Sequence, residues 1–189
     1  MKLYQNFLIT PGLTTIIDRV ILVVAKKVFN DLLHSVNNRG GLKMKRLPVM
    51  LLRPTARLPE RQTAGSVGYD ISACLDGDVI IEQGETQKIG SGFAIALEPG
   101  YAAFIYARSG LGINHGITPA NCVGVIDSDY RGEVIVGLKN SSNSPYTVRN
   151  GDRIAQMVIA KCELPEIVLF DDLEKTARGA GGFGSTDLS

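Results

Sequence analysis

From residue 47 onward, short apolar runs rich in β-branched residues alternate with turn signals. The runs are Val49–Leu52, Val79–Ile81, Lys88–Leu97, Ala102–Tyr106, Cys122–Ile126, Glu133–Leu138, Arg153–Ala160 and Ile167–Phe170. Between them lie Asp76-Gly77, Pro99-Gly100, the stretch from Asn140 to Pro145, and Asn150-Gly151-Asp152, all turn-forming. Strands this closely spaced, with no long helical pattern between them, predict an all-β domain, an antiparallel barrel or jelly roll. Residues 13–36 carry a different period. Leu13, Ile16, Ile17, Val20, Ile21, Val24, Val28, Leu32 and Val36 recur at steps of three and four, which predicts an amphipathic helix. Thr15 and Asp18 fit a capping box at its start, and Asn37-Asn38-Arg39-Gly40-Gly41 ends it. Residues 172–189 are polar and glycine-rich and read as a flexible C-terminal arm. The expected layout is an N-terminal extension over 1–43, a β domain over 44–171 and the arm over 172–189.

Composition sharpens this picture at the N-terminus. The chain has 189 residues, 44% hydrophobic and 21% charged, which excludes wholesale disorder. Its formal net charge of +1 gives no nucleic-acid footprint. The first 46 residues carry eight Lys/Arg against two Asp, a net of +6, and the remainder carries 12 basic against 17 acidic residues, a net of −5. A basic appendage on an acidic domain is implied. The apolar run Val20–Ala25 is far shorter than the roughly 20 residues of a bilayer span, so no membrane-spanning segment is expected. Asp18 and Arg19 interrupt any secretory signal. Three readings of the 13–36 helix stand open: a packing surface, an organelle-targeting element, or extra sequence before an alternative start at Met44. Its two acids weigh against a transit peptide. The three cysteines, Cys74, Cys122 and Cys162, form no CxxC pair, so a reducing, cytoplasmic setting is expected and a zinc site is not.

Five segments hold candidate chemistry. Arg108-Ser109-Gly110 follows an apolar run. An arginine fork, a hydroxyl and glycine backbone suit an anion. The stretch from Asn121 to Gly132 reads as a β-hairpin whose turn holds carboxylates. Asp127 there suits a general base, and Asn121 offers both donor and acceptor to a base edge. Gln156, in Gly151-Asp152-Arg153-Ile154-Ala155-Gln156-Met157, adds an uncharged donor. The tail from Arg178 to Thr186 resembles a phosphate cradle, although it lacks the spacing of a Walker A loop, and Phe183 within it suits stacking on a flat ring. Asp70, after Gly65-Ser66-Val67-Gly68-Tyr69, suits a magnesium shell. Each of these alone reads equally as an ordinary turn, strand start or tail.

Their order carries more than any one of them. Together they resemble the five motifs of the homotrimeric dUTPases (dUTP diphosphatases) over about Met44 to Thr186. The pair Ile126-Asp127-x-Asp129-Tyr130-Arg131-Gly132 and Gly182-Phe183-Gly184-Ser185-Thr186 is the most specific part. The resemblance implies a dUTPase-like β-clip or jelly-roll domain and magnesium-dependent hydrolysis of dUTP to dUMP and pyrophosphate. It implies that Asp127 activates water, that Tyr130 underlies the deoxyribose, and that Asn121 with the Val125-Ile126 backbone reads uracil. Arg108, Ser109, Gly110 and Gln156 would contact phosphates, with Asp70 holding Mg2+ through water. Arg178, Phe183, Gly184, Ser185 and Thr186 would close over the substrate. A homotrimer with sites shared between chains is implied as well, with no nucleic-acid partner.

Two other classes are weighed. A dCTP deaminase, or a bifunctional deaminase/dUTPase on the same fold, would use a glutamate base and lack the 182–186 arm. A non-catalytic regulator would use the N-terminal helix as a partner surface. The aspartate at 127 argues against the first, and the full set of catalytic residue types against the second.

Overall fold

The structure is a computed structural model that describes Met44, residues 46–176 and residues 178–180. The helix expected over 13–36 and the arm positions Phe183, Gly184, Ser185 and Thr186 lie outside the described residues. Ten strands run in the order β1 (Val49–Leu51), β2 (Tyr69–Ser72), β3 (Val79–Ile81), β4 (Thr86–Ile95), β5 (Tyr101–Tyr106), β6 (Ile117–Pro119), β7 (Gly124–Ile126), β8 (Glu133–Asn140), β9 (Tyr146–Val148) and β10 (Arg153–Lys161). One short helix, α1 (Ser109–His115), follows β5. Every pairing between strands among the described residues is antiparallel. The strands form a sheet β1-β4-β8-β6, a second sheet β2-β10-β5-β7 and a ribbon β3-β9.

Alternation explains how both sheets feed one core. In β8, Val134, Val136, Leu138 and Asn140 are buried, while Ile135 and Lys139 point out. Phe93, Ile95 and Ile117 join them from the first sheet, and Ile71, Ile105, Ile154 and Met157 from the second, in a single apolar cluster. Met44, Leu47 and Val49 pack on its margin. Asn140 is the polar exception, fully buried and fully bonded. Its Nδ2 donates to Ile81 O and Ser144 O at 2.9 and 2.8 Å, and its Oδ1 accepts from Ser142 N and Oγ at 2.9 and 2.7 Å. This ties β3 and the 140–145 turn to the end of β8.

A bulge interrupts β4 between Gly90 and Ala94. Gly92 there has φ +71, and a Cβ on it would sit 2.6 Å from Cys74 Sγ, so only glycine fits. Glu133 Oε1 accepts the Gly92 N–H at 2.7 Å and closes the gap.

Four expectations change. Residues 109–115, read as a turn, form a helix of about two turns ended by Gly116 in the left-handed conformation (φ 66). The segment Asn121–Gly132 is not a hairpin. Strand β7 pairs only with β5 and β8 only with β4 and β6, so the carboxylate turn carries the chain from one sheet to the other. Cys122 is outside β7, because its φ of 62 breaks the extended run. Ile167–Phe170 forms no strand. It finds no partner edge among the described residues, and Ile167 and Leu169 are each 96% exposed.

Candidate active site

The crossing between the sheets builds the first cleft. Asn121, Gly124, Val125, Ile126, Asp127 and Tyr130 all line it. Two short backbone bonds fold the turn, Cys122 N to Pro119 O at 3.1 Å and Val123 N to Asn121 O at 2.7 Å. They turn the Asn121 carboxamide toward Gly124, with Nδ2 3.5 Å from where a Cβ on that glycine would lie. Val125 is more than half exposed and Ile126 is buried, so the strand presents its edge to the cleft while anchoring in the core.

Asp127 follows β7 directly. Tyr130 N donates to Asp127 O at 3.2 Å, and Arg131 Nη1 donates to Ser128 O and Tyr130 O at 2.6 and 2.7 Å. These bonds hold the turn while the Asp127 carboxylate stays exposed. The Tyr130 hydroxyl donates to Glu133 O at 3.0 Å, which fixes the ring as a wall of the cleft. A carboxylate, an amide and a flat ring around one apolar floor can hold a planar polar heterocycle and deprotonate a water beside it.

A second cleft carries the anion-binding types. Asp70, Arg108, Ser109, Gly110 and Gln156 line it together. Asp70 lies on β2 across from Gln156 on β10, and Gln156 lies across from Tyr106 at the end of β5. That register brings the three segments together at one end of the sheet. Gln156 Nε2 donates to Ala107 O at 2.9 Å. Ser109 and Gly110 are exposed at the start of α1, where the first helical N–H groups have no intrahelical acceptor. The Asp70 side chain is only 13% exposed, and Arg108 Nε donates to its Oδ1 at 3.0 Å.

The residue missed in the sequence is Arg153. Its Nη1 donates to Asp70 Oδ2 at 3.0 Å. Along the sequence, its segment points to Gln156 alone. The signal was the arginine at the head of a core strand, but only the strand pairing shows which acid it meets.

The two clefts share no lining residue. Asp70 stands on the β2 edge of the second sheet and the 121–127 turn on its β7 edge, with β10 and β5 between. Arg178 is described and exposed, while the other arm positions are not described. Leu164, Ile167, Leu169, Phe170 and Leu173 all stand more than two thirds exposed.

No group of three or more His, Cys, Asp or Glu that could hold a metal occurs among the described residues. Both Asp70 oxygens are taken by arginines. This donor set does not build a cage. It does fit a magnesium ion that arrives on substrate phosphates and keeps its waters, which needs only an acceptor beyond its water shell.

Comparison with known proteins places this two-sheet body in a family. The dUTPase family model matches residues 55–187. The deoxyuridine 5'-triphosphate nucleotidohydrolase of Desulfitobacterium hafniense is 49% identical over 134 residues, which covers 70% of this chain and 89% of that protein. The protein of the same name from Neisseria meningitidis serogroup A is 48% identical over 132 residues, covering 69% and 88%. Among solved structures, a variant of the Staphylococcus bacteriophage 80alpha dUTPase with dUpNHpp superposes at a TM-score of 0.69 with 27% identity, covering 75% of this chain and 98% of that one. A variant dUTPase from phage phi11 of S. aureus, described for the coordination of a structural Mg(II) ion, superposes at 0.64 with 25% identity, covering 69% and 100%. The chain belongs to the dUTPase family.

Proposed function

We propose that this protein hydrolyses dUTP to dUMP and pyrophosphate, with Asp127 as the base. The observation that carries the reading is the cleft in which Asn121, Asp127 and Tyr130 stand together, in a chain of this family. Uracil lies against Asn121 and the Val125-Ile126 backbone, whose donors and acceptors suit its edge. Cytosine presents a donor where uracil has an acceptor and leaves a polar group of the cleft unmatched. The deoxyribose rests on the Tyr130 ring.

Asp127 takes a proton from water. The water oxygen bonds to phosphorus as the bond to the pyrophosphate leaving group breaks. Arg108, Ser109, Gly110 and Gln156 hold the phosphates in line. Asp70 would hold Mg2+ through water, and the metal would supply charge neutralisation on the phosphates. Arg178, Phe183, Gly184, Ser185 and Thr186 close over the substrate and exclude bulk water.

We also propose that each site is completed between chains of a homotrimer. The nucleoside and phosphate clefts are separate on one chain, and the apolar 164–173 segment is exposed on it. Copies that meet at these surfaces bring one chain's Asp127 to another's Arg108. A cytoplasmic location is supported by the three free thiols of Cys74, Cys122 and Cys162. No helix among the described residues is long and apolar enough to cross a membrane.

The test is incubation with dUTP, dCTP and UTP, with separate assays for pyrophosphate and ammonia. Pyrophosphate from dUTP, with none from UTP and no ammonia from dCTP, is expected. Ammonia release would establish the deaminase instead, and silence with all three nucleotides would leave a binding protein.

A further inference from the structure

We propose that Arg153 is a positioning residue for the phosphate grip, keeping Arg108 turned toward phosphate by occupying the second oxygen of Asp70. The inference rests on the reading of Arg108 as a phosphate ligand. Three bonds carry it. Arg108 Nε donates to Asp70 Oδ1 at 3.0 Å, Arg153 Nη1 donates to Asp70 Oδ2 at 3.0 Å, and Arg108 Nη1 donates to the Arg153 carbonyl at 3.2 Å. The bulge in β10 between Arg153 and Ala155 places Arg153 across from Ser72, diagonal to Asp70 and within reach of a long side chain.

The geometry sets up a competition. A carboxylate and a guanidinium left alone favour a bidentate pair with two parallel N–H···O bonds. Such a pair would spend both an Nε and an Nη of Arg108 on Asp70. Here Arg108 meets Asp70 through Nε only, because Oδ2 belongs to Arg153. Nη2 of Arg108 has no hydrogen-bond partner among the described residues. Two guanidiniums share one carboxylate, so the cluster keeps a net positive charge. Both arginines line an open cleft beside the phosphate cleft, where the Asp152 carboxylate stands with them, and of the two Arg108 alone also lines the phosphate cleft. The Arg153 carbonyl adds a second fixed point, so the guanidinium plane of Arg108 is held at two atoms.

Removing the Arg153 side chain frees Oδ2. Arg108 then closes onto Asp70 as a fork and withdraws from phosphate. The effect depends on the Asp70 carboxylate, which separates it from a general loss of charge.

The experiment is a cycle of Arg153→Ala, Arg153→Lys, Asp70→Asn and the double variant Arg153→Ala/Asp70→Asn in the full chain. Calorimetric binding of inorganic tripolyphosphate and of α,β-imido-dUTP is read beside KM and kcat for dUTP. Arg153→Ala is expected to weaken both ligands by on the order of tenfold, with dUMP binding much less changed. Arg153→Lys should restore most of the loss, because an ammonium also occupies Oδ2. In the Asp70→Asn background, Arg153→Ala should have little further effect. Equal losses with and without the Asp70 carboxylate, or an unchanged affinity in Arg153→Ala, would overturn the proposal. Tripolyphosphate binding needs no turnover, so failure of the wild-type protein to cleave dUTP would refute the proposed activity without obscuring this result. Thermal unfolding of each variant identifies any that fail to fold, and Arg153→Met, which has no donor for Oδ2, then replaces Arg153→Ala.

Discussion

Replacing Tyr130 by alanine should relax discrimination against UTP while leaving dUTP binding largely in place. The ring is 44% exposed, so it is a wall of the cleft rather than part of the core. Two features hold it. Its hydroxyl donates to Glu133 O at 3.0 Å. Gly132 lets it lie flat, since a Cβ there would come within 2.6 Å of Tyr130 Cζ. A close apolar wall rejects an added hydroxyl by about a hundredfold at most, or roughly 3 kcal/mol. Removing the ring should lower the ratio of kcat/KM for dUTP over UTP by that order. Tyr130→Phe keeps the wall and loses only its anchor, a neutral hydrogen bond worth about 1 kcal/mol, so the ratio should fall by about fivefold. Gly132→Ala displaces the ring without deleting it and should fall between the two. Steady-state kinetics on both nucleotides provide the ratio. An unchanged ratio in Tyr130→Ala would refute the steric filter, and equal effects of Phe and Ala would move the filter to the hydroxyl.

Three further outcomes are expected. Truncation after Lys175 removes Arg178 and the arm and should leave the two-sheet body folded, with kcat/KM for dUTP reduced on the order of a hundredfold; full activity would remove the arm from the mechanism. Asn140→Ala leaves the buried Ile81 carbonyl without its Nδ2 donor and should cost about 3 kcal/mol in urea unfolding at an unchanged m-value. Burial, and then the Asp152 charge, raise the Tyr146 pKa above 10.0, against the opposing pull of Arg149 and Arg108. The folded state therefore keeps a proton that the unfolded chain loses first. Stability should be whole below pH 10.0 and fall as pH rises beyond it, with a shallower alkaline slope in Tyr146→Phe.

How much of this was legible depends on how local each feature is. Glu133–Leu138 falls within β8 and Val79–Ile81 matches β3 residue for residue, because runs of β-branched residues bounded by turn signals mark strands locally. Helix α1 was hidden by Gly110 and Gly112, poor helix formers that read as a turn, and β6 by its Pro119. Ile167–Phe170 has strand composition but no neighbour to pair with, which composition alone does not reveal. The nucleoside cleft was readable because Asn121, Asp127 and Tyr130 fall within ten consecutive residues. The Arg108–Asp70–Arg153 cluster was not, since its members lie 38 and 83 positions from Asp70 and meet only through the pairing of β10 with β2 and β5.

The measurement that bears most directly on the account is dUTP turnover by Asp127→Asn beside the wild-type protein, with α,β-imido-dUTP binding followed in the same samples. Asparagine keeps the size and the acceptor oxygen but takes no proton from water. Loss of dUMP and pyrophosphate formation with binding retained is the predicted result. Hydrolysis at the wild-type rate would contradict it and remove Asp127 as the base.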